Sequence, residues 1–160
     1  MSVESIPVAR TPPGGWSGAF PEPVLSSCND PIVDGAPDMR GMWQVVEVLF
    51  DGEPALEHQL IGAFQRIEQA ADRVTITAGG IIHDMRCDGT EANGVNDVAE
   101  FDKQTAITVV SNFEDGVHVL RPVGLPIEVK RWLEGDDLMW QYVGFTCRLV
   151  RVGPPAMTPS

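Results

Sequence analysis

Residues 127–152, IEVKRWLEGDDLMWQYVGFTCRLVRV, decide the fold class of this chain. They contain three runs rich in Val, Leu and aromatic residues, at 127–133, 138–143 and 145–152, which are separated by Glu134-Gly135-Asp136 and by Gly144. Short runs of this composition between turn-forming residues are typical of antiparallel strands joined by hairpins. The stretch therefore predicts three consecutive strands of one antiparallel sheet.

The same rhythm extends back to residue 41. Further strands are predicted at 42–50, 65–69, 73–78, 81–87, 98–101, 105–113 and 117–121, with turns at Gly79-Gly80 and Asp115-Gly116. The segment 53–64 differs, because Leu56, Leu60, Ile61 and Phe64 recur at spacings of three and four, which is a helical period. About eight to ten strands, with one short helix after the first strand, indicate an all-β sandwich or a closed barrel.

The flanking segments differ from this central region. Residues 1–39 hold seven of the 13 prolines. Proline fixes φ and lacks a backbone donor, so we expect this leader neither to pair in a sheet nor to form a helix. Two alternatives stay open, a disordered leader or a leader strapped on the barrel through Trp16 and Phe20. The barrel domain is expected at 40–153, and the proline-rich end at 154–160 is expected to be a disordered tail.

Charge and cysteine content narrow the classes of partner. The net charge of −12 disfavours contact with phosphate backbones and anionic lipid surfaces, so we expect no nucleic-acid partner. No run approaches the roughly 18 apolar residues of a spanning helix, so no membrane insertion is expected. Cys28, Cys87 and Cys147 form no CxxC unit, which indicates neither a metal site nor a redox pair. With free thiols and no signal-like N-terminus, the expectation is a cytoplasmic protein without a cofactor.

The first and last predicted strands carry a family resemblance. Gly41-Met42-Trp43 opens the first strand as G-x-W, and Arg148 lies in the last strand. This pair resembles the calycins, the superfamily of lipocalins and fatty-acid-binding proteins, in which a Trp of the first strand packs near an Arg of the last strand. Such a contact is a cation–π interaction. The resemblance implies an antiparallel up-and-down β-barrel with a structural plug made by Trp43 and Arg148.

The C-terminal half is similar to the fatty-acid-binding proteins in particular. Residues 129–138 resemble their K-R-x-L-x-x-G-x-L hairpin, and residues 146–150 resemble their closing C-x-R-x-Y strand, although Val150 replaces the Tyr and Cys147 directly precedes the Arg. In that family the arginines at these two places hold the carboxylate of the ligand. The resemblance therefore implies ligand binding by Arg131 and Arg148.

Strand alternation suggests which side chains line the barrel interior. Arg131 shares a face with aliphatic residues, so its guanidinium either meets an anion in a cavity or extends past the barrel rim. Arg148 is assigned either to the plug or to the ligand. Trp140 and Tyr142 share one face of their strand, and the core of a barrel with a cavity is also its pocket wall.

Of the three histidines, only His83 is given a role. It shares a face with Ile81, Met85 and Cys87, which fits a core histidine hydrogen-bonded to a neighbour, a polar contact to a ligand, or a catalytic base. His118 is expected on the outer face and His58 on the exposed helix. None lies in the last two strands, where nitrobindin-type barrels carry their haem ligand.

These observations favour an intracellular binding protein for a small hydrophobic or amphipathic ligand, with or without an acidic group, inside the barrel. The alternative is an enzyme of the isomerase, cyclase or decarboxylase type, with His83 as acid or base and Arg131 or Arg148 holding a substrate anion. A haem-binding barrel and a partner-binding leader are less favoured. Fold alone does not choose among these functions.

Overall fold

The computed structural model describes residues 1–159. Its strands are β1 Gly41–Phe50, β2 Glu53–Pro54, β3 Phe64–Ala70, β4 Arg73–Ala78, β5 Ile81–Arg86, β6 Val95–Val98, β7 Ala106–Glu114, β8 Val117–Pro122, β9 Val129–Glu134, β10 Asp137–Tyr142 and β11 Phe145–Gly153. A 3-10 turn at Val3–Ser5 is the only helical element of these residues. No helix within 1–159 has the length and apolar character needed to cross a bilayer.

The strands form one antiparallel sheet that curls into a nearly closed barrel. Its order is β5-β4-β3-β1-β11-β10-β9-β8-β7-β6, with β2 paired to β1. The two edge strands β5 and β6 face each other along a seam, which is bridged by Arg86 N–H donating to Asn93 O at 2.7 Å and by His83 Nε2–H donating to Val98 O at 2.9 Å. The predicted all-β, up-and-down barrel is therefore confirmed.

The helix expected over residues 53–64 is wrong. Gly52, at φ 81°, reverses the chain so that β2 pairs back onto β1, with Pro54 opposite Leu49. Turns follow as far as β3, and Leu56 is 83% exposed rather than on a buried helix face. Proline and glycine are poor helix residues, and hairpin pairing with β1 satisfies backbone groups that a helix would otherwise bond.

The sixth strand begins earlier than the pattern predicts. It runs over Val95–Val98 instead of 98–101, and residues 99–103 form a turn in which Lys103 N–H donates to Ala99 O at 2.9 Å. A Cβ on Gly94 would overlap Val109 O, so only glycine lets the chain approach β7 this closely before β6 starts. The acidic, glycine-rich composition of the segment concealed this strand.

One end of the barrel is filled by side chains. Its innermost residues, each at most 1% exposed, are Trp43, Val45, Leu138, Cys147 and Leu149. The Trp43 indole N–H donates to Met39 O at 2.9 Å, and the guanidinium carbon of Arg151 lies 4.8 Å from the ring centre. The structural plug is therefore Trp43 with Arg151, and the expected pairing of Trp43 with Arg148 is wrong.

The leader lies across the outer face of β3, β4 and β5. The Glu68 carboxylate accepts hydrogen bonds from the N–H groups of Val24 and Leu25, at 3.0 and 2.8 Å. Arg73 donates to the carbonyls of three leader residues and forms a buried ion pair with Asp84 at 2.6 Å. Proline-rich backbone offers carbonyl acceptors with few donors, so buried arginines on this sheet face match it.

Aromatic residues anchor the middle of the leader. The Trp16 indole N–H donates to Ile81 O at 2.9 Å, and the Phe20 ring lies 5.3 Å from the guanidinium carbon of Arg66. Arg66 also donates to Pro155 O at 2.7 Å, so the end of the chain meets the same sheet face. Ser160, the last residue of the tail that is expected to be disordered, lies outside the described residues.

The leader also crosses the seam. Ala9 N–H donates to the Asp84 carboxylate of β5, and Thr11 N–H donates to the Asp97 carboxylate of β6, both at 2.9 Å. The Thr11 hydroxyl accepts from Ile82 N–H at 2.9 Å. Residues 9–11 thus connect the two edge strands and cover backbone groups that an open edge would expose.

Candidate functional site

A cavity of about 140 Å³ lies inside the barrel, between β4–β5 and β7–β10. Its wall is mostly aliphatic and aromatic and includes Ile81, Phe101, Ile107, Leu120, Val129, Trp140 and Tyr142. The ionisable side chains in this wall are His83, Glu100, Arg131 and Tyr142. Larger hollows, of about 250 Å³ beside the leader and about 570 Å³ near Trp132, are lined mainly by residues outside the barrel interior. An apolar cavity with a few polar groups is the usual form of a ligand site.

Arg131 is the buried cation of this cavity. Pairing of Arg131 with Trp140 across β9 and β10 places the guanidinium carbon 5.1 Å from the indole ring centre. Its Nη2–H donates to Gln65 Oε1 at 3.2 Å, whereas its Nε has no acceptor among residues 1–159. Burial lowers the pKa of Arg131 to about 10, so the side chain stays charged at neutral pH.

The inward direction of Arg131 follows from its strand and its hairpin. Val129 and Arg131 are 7% and 5% exposed, while the intervening Lys130 and the next residue Trp132 lie on the other face. No described carboxylate forms an ion pair with Arg131. The charge of Glu100 in the same cavity wall opposes the lowering of the Arg131 pKa, but Glu100 makes no hydrogen bond or ion pair with the guanidinium. A buried cation without a directly bonded counter-charge is costly, so the site favours an anion.

Glu100 stands in the cavity wall in the turn after β6. Burial raises the pKa of its carboxyl, and the positive charges of Arg131 and Lys103 oppose that rise. The Tyr142 pKa is also raised, by burial and by the charge of Glu100. An adjoining hollow of about 170 Å³ is bordered by Glu100, Phe101, Trp140, Tyr142 and Phe145. Glu100 therefore puts an acidic group on the side of the cavity near Tyr142.

His83 contributes a neutral imidazole to the wall. Its Nε2 carries the proton that Val98 O accepts, which leaves Nδ1 as the lone-pair nitrogen. Burial lowers the pKa of His83, and the nearby positive charge of Arg131 acts in the same direction. The histidine is therefore uncharged at neutral pH and a weak base.

His118 lies inside the barrel, so its expected place on the outer face is wrong. It is 0% exposed and is paired across β8 and β9 with Arg131. Its Nε2 is 2.9 Å from Ser111 Oγ, which is 3.1 Å from Cys87 Sγ. Burial, followed by the charge of Arg131, lowers the pKa of His118 to about 3. Leu120, two positions further along β8, shares this inner face. Strand alternation with an aliphatic residue at that spacing could have predicted that His118 points inward.

The Cys87 thiol, which ends the series of hydrogen bonds from His118 through Ser111, is not activated. Burial raises its pKa to about 12, although the hydrogen bond shared with Ser111 acts in the opposite direction. A thiol in that environment is a poor nucleophile, because the reactive form is the thiolate. Cys87, Ser111 and His118 therefore form an uncharged polar network beside Arg131.

Arg148 lies on the outside of the barrel, so its expected contact with the cavity is wrong. Its guanidinium pairs with Asp137 at 2.9 Å, Glu134 at 3.6 Å and Glu47 at 3.7 Å. The inward residues of β11 are its neighbours Cys147 and Leu149, both 0% exposed. Irregular register between β1 and β11 places Arg151, not Arg148, opposite Trp43.

The structure thus brings four of the expected site residues to one cavity, namely Arg131, Trp140, Tyr142 and His83. Sequence reasoning missed Glu100, which the pattern placed on a strand, and Gln65, the partner of Arg131. Gln65 lies beside Trp43 in the β1–β3 pairing and faces inward with it. Only knowledge of that register could have identified it.

Comparison with known proteins gives a structural match. No family model and no curated protein matches this sequence. Among solved structures, human cRBP IV matches with a TM-score of 0.54 and 16% sequence identity, over 72% of this chain and 98% of the other. A similarity at this identity concerns the fold. The chain therefore has the calycin fold, in the nearly closed antiparallel barrel form of the fatty-acid-binding proteins.

Proposed function

We propose that this protein binds a small, mostly apolar ligand with an acidic group inside its barrel. The observation that carries this proposal is the Arg131 guanidinium, which is buried against an apolar cavity and has an Nε without an acceptor among residues 1–159. Cavity-lining aliphatic groups would bind the apolar part through burial, and the guanidinium would bind the acid.

The fold comparison supports the same class of function. Human cRBP IV is a cellular retinol-binding protein, so a barrel of this form holds a hydrophobic small molecule there. For this chain we propose the class of ligand and not retinol, because a charged arginine suits an acid better than an alcohol. Cys28, Cys87 and Cys147 are free thiols, which supports a cytoplasmic location.

Each wall residue has a proposed part in binding. Arg131 donates to the ligand carboxylate, and Trp140 holds the guanidinium in place from its indole face. Tyr142 supplies an aromatic edge of the cavity, and His83 offers its Nδ1 lone pair to a ligand donor. Arg148, which is bound to three carboxylates outside, takes no part.

Binding has better support than catalysis. The enzyme alternative uses His83 as acid or base, but its Nε2 is bound to Val98 O and its pKa is lowered. A base of this kind would hold a proton poorly near neutral pH. The unreactive Cys87 thiol offers no nucleophile in its place.

The test compares apolar acids with the alcohols of the same carbon skeleton. We would titrate benzoate, hexanoate and hexadecanoate, and then benzyl alcohol, hexanol and hexadecanol, into the full chain by calorimetry. At least one acid should bind about tenfold more tightly than its alcohol, or about 1.4 kcal/mol, because a hydrogen bond to a charged group is worth about 1.5–3 kcal/mol.

Two variants give this test its specificity. Arg131→Met should remove the preference for the acid, whereas Arg148→Met, which makes the same change of charge outside the barrel, should keep it. The proposal is refuted if no acid of the series binds the native protein, or if Arg131→Met binds the acids as well as the native protein does.

A further inference from the structure

We propose that the ligand of this cavity is a compact monocarboxylic acid whose apolar part is about the size of one ring, and not a long-chain acid or a retinoid. This inference rests on the proposed function and adds a limit on ligand size and charge. The limit comes from the shape of the barrel interior, whereas the preference for an acid comes from Arg131.

The volume of the cavity supplies the first argument. It measures about 140 Å³. An apolar protein cavity of about 150 Å³ holds a benzene molecule, whereas pockets for drug-sized ligands span about 300–1,000 Å³. A single aromatic ring or a short branched chain fits the space, and the four pyrrole rings of haem do not.

The packed end of the barrel offers no room for a longer molecule. Beyond Arg131, the interior is occupied by Trp43, Leu138 and Leu149, which are 0% exposed and belong to one packed core. Close-packed side chains resist displacement, because moving them sacrifices contacts and strains rotamers. An acyl chain longer than the cavity would have to displace this core or extend past the Glu100 carboxyl into the adjoining hollow.

Two unsatisfied donors support a carboxylate at the inner end. Arg131 and Trp140 are opposite each other in the pairing of β9 with β10. Arg131 Nε and Trp140 Nε1 are both buried and lack an acceptor among residues 1–159. A carboxylate has two oxygens and can accept from both donors. Buried donors of this kind cost about 1–3 kcal/mol each unless a partner satisfies them.

Glu100 limits the ligand to a single acid group. Its carboxyl lies in the wall of the same cavity, and its charge acts on both Tyr142 and Arg131. A second carboxylate on a ligand of this size would approach Glu100, and two like charges in an apolar site repel strongly. We therefore expect the site to reject dicarboxylic acids of the same skeleton.

The experiment is a titration of the full chain with acids of graded size, by calorimetry and ligand-detected NMR. The probes are benzoate, hexanoate, decanoate, hexadecanoate, the para diacid terephthalate, and retinol. Benzoate or hexanoate should bind most tightly, affinity should fall at least tenfold by decanoate, and hexadecanoate, terephthalate and retinol should not bind.

The outcomes separate this inference from the proposed function. If affinity rises with chain length up to hexadecanoate and depends on Arg131, the acid-binding function holds and the size limit is overturned. Binding of terephthalate as tight as that of benzoate overturns the limit to one acid group. If none of the acids binds, both proposals fail.

Two variants change the cavity in opposite directions. Leu120→Ala removes three carbon atoms from the wall and should move the preferred acid toward decanoate, while Leu56→Ala, at an 83% exposed position, should not. Ala99→Val fills the cavity instead and should weaken benzoate binding at least tenfold. An unchanged order of preference in both folded cavity variants overturns the size limit.

Discussion

Replacement of Arg131 by Met tests the claim that this arginine serves binding and not stability. Burial lowers its pKa to about 10 against the opposing charge of Glu100, which corresponds to a net cost of about 3 kcal/mol for its charge in the free protein. The change also removes the charge-assisted bond to Gln65, worth about 1.5 kcal/mol, and the contact with Trp140, worth about 1–2 kcal/mol. We therefore expect the stability of the Arg131→Met protein to match that of the native protein within about 1 kcal/mol.

The assay is urea unfolding of both ligand-free proteins at pH 7, followed by tryptophan fluorescence. Arg73→Met is the matched control, because Arg73 is also buried but pairs with Asp84 and donates to three leader carbonyls. Removing one partner of a buried ion pair costs about 3–5 kcal/mol, so this control should be strongly destabilised. A loss above about 2 kcal/mol for Arg131→Met would show that Arg131 holds the fold together, and would refute the reasoning.

Three further predictions concern pH, the leader and the plug. The pKa of His118 is about 3 in the folded state and 6.5 in the unfolded state, so on acidification the unfolded state takes up the proton first. The free energy of unfolding should therefore fall by about 1.4 kcal/mol per pH unit below pH 6.5. In urea titrations between pH 5 and about 6.5, the stability of His118→Gln should depend less steeply on pH than that of the native protein, and equal slopes would contradict this. Deletion of residues 1–12 should lower Tm and speed amide exchange in β5 and β6, since residues 9–11 bridge the seam; unchanged exchange would argue against that role. Arg151→Met should cost about 0.5–2 kcal/mol by urea unfolding and Arg148→Met less than about 1 kcal/mol, and the reverse order would contradict the assignment of the plug.

Strand periodicity indicates which side chains share a face where the two faces of a strand differ in polarity. In β9 and β10 the alternation put Arg131 on an aliphatic face, pointing to a cavity or to the barrel rim, and put Trp140 on one face with Tyr142. The structure has Arg131 and Trp140 paired against each other. The resemblance of the two ends to calycins predicted the barrel, which the fold comparison confirms. Both inferences use information within one strand or one hairpin, and local pattern is a reliable guide at that range.

Errors arose where a residue's place depends on a distant strand. Arg148 and Arg151 lie three positions apart on β11, whose pairing with β1 is irregular. Only that pairing decides which of the two arginines meets Trp43. The helical spacing around Leu60 was overridden by the return of β2 onto β1. In each case contacts distant in sequence outweighed a local preference.

The sequence by itself determined an all-β fold, sandwich or barrel, with an arginine on an apolar face, because strand composition, turn residues and alternation are local properties of the chain. The choice of a barrel came from the resemblance of its first and last strands to calycins. Only the tertiary structure decided that the cavity is about 140 Å³, that Glu100 and Gln65 stand near Arg131, and that His118 is buried. It also decided that the leader covers β3–β5 and crosses the seam. These features depend on the register and packing of strands far apart in the chain, which alternation within one strand does not specify.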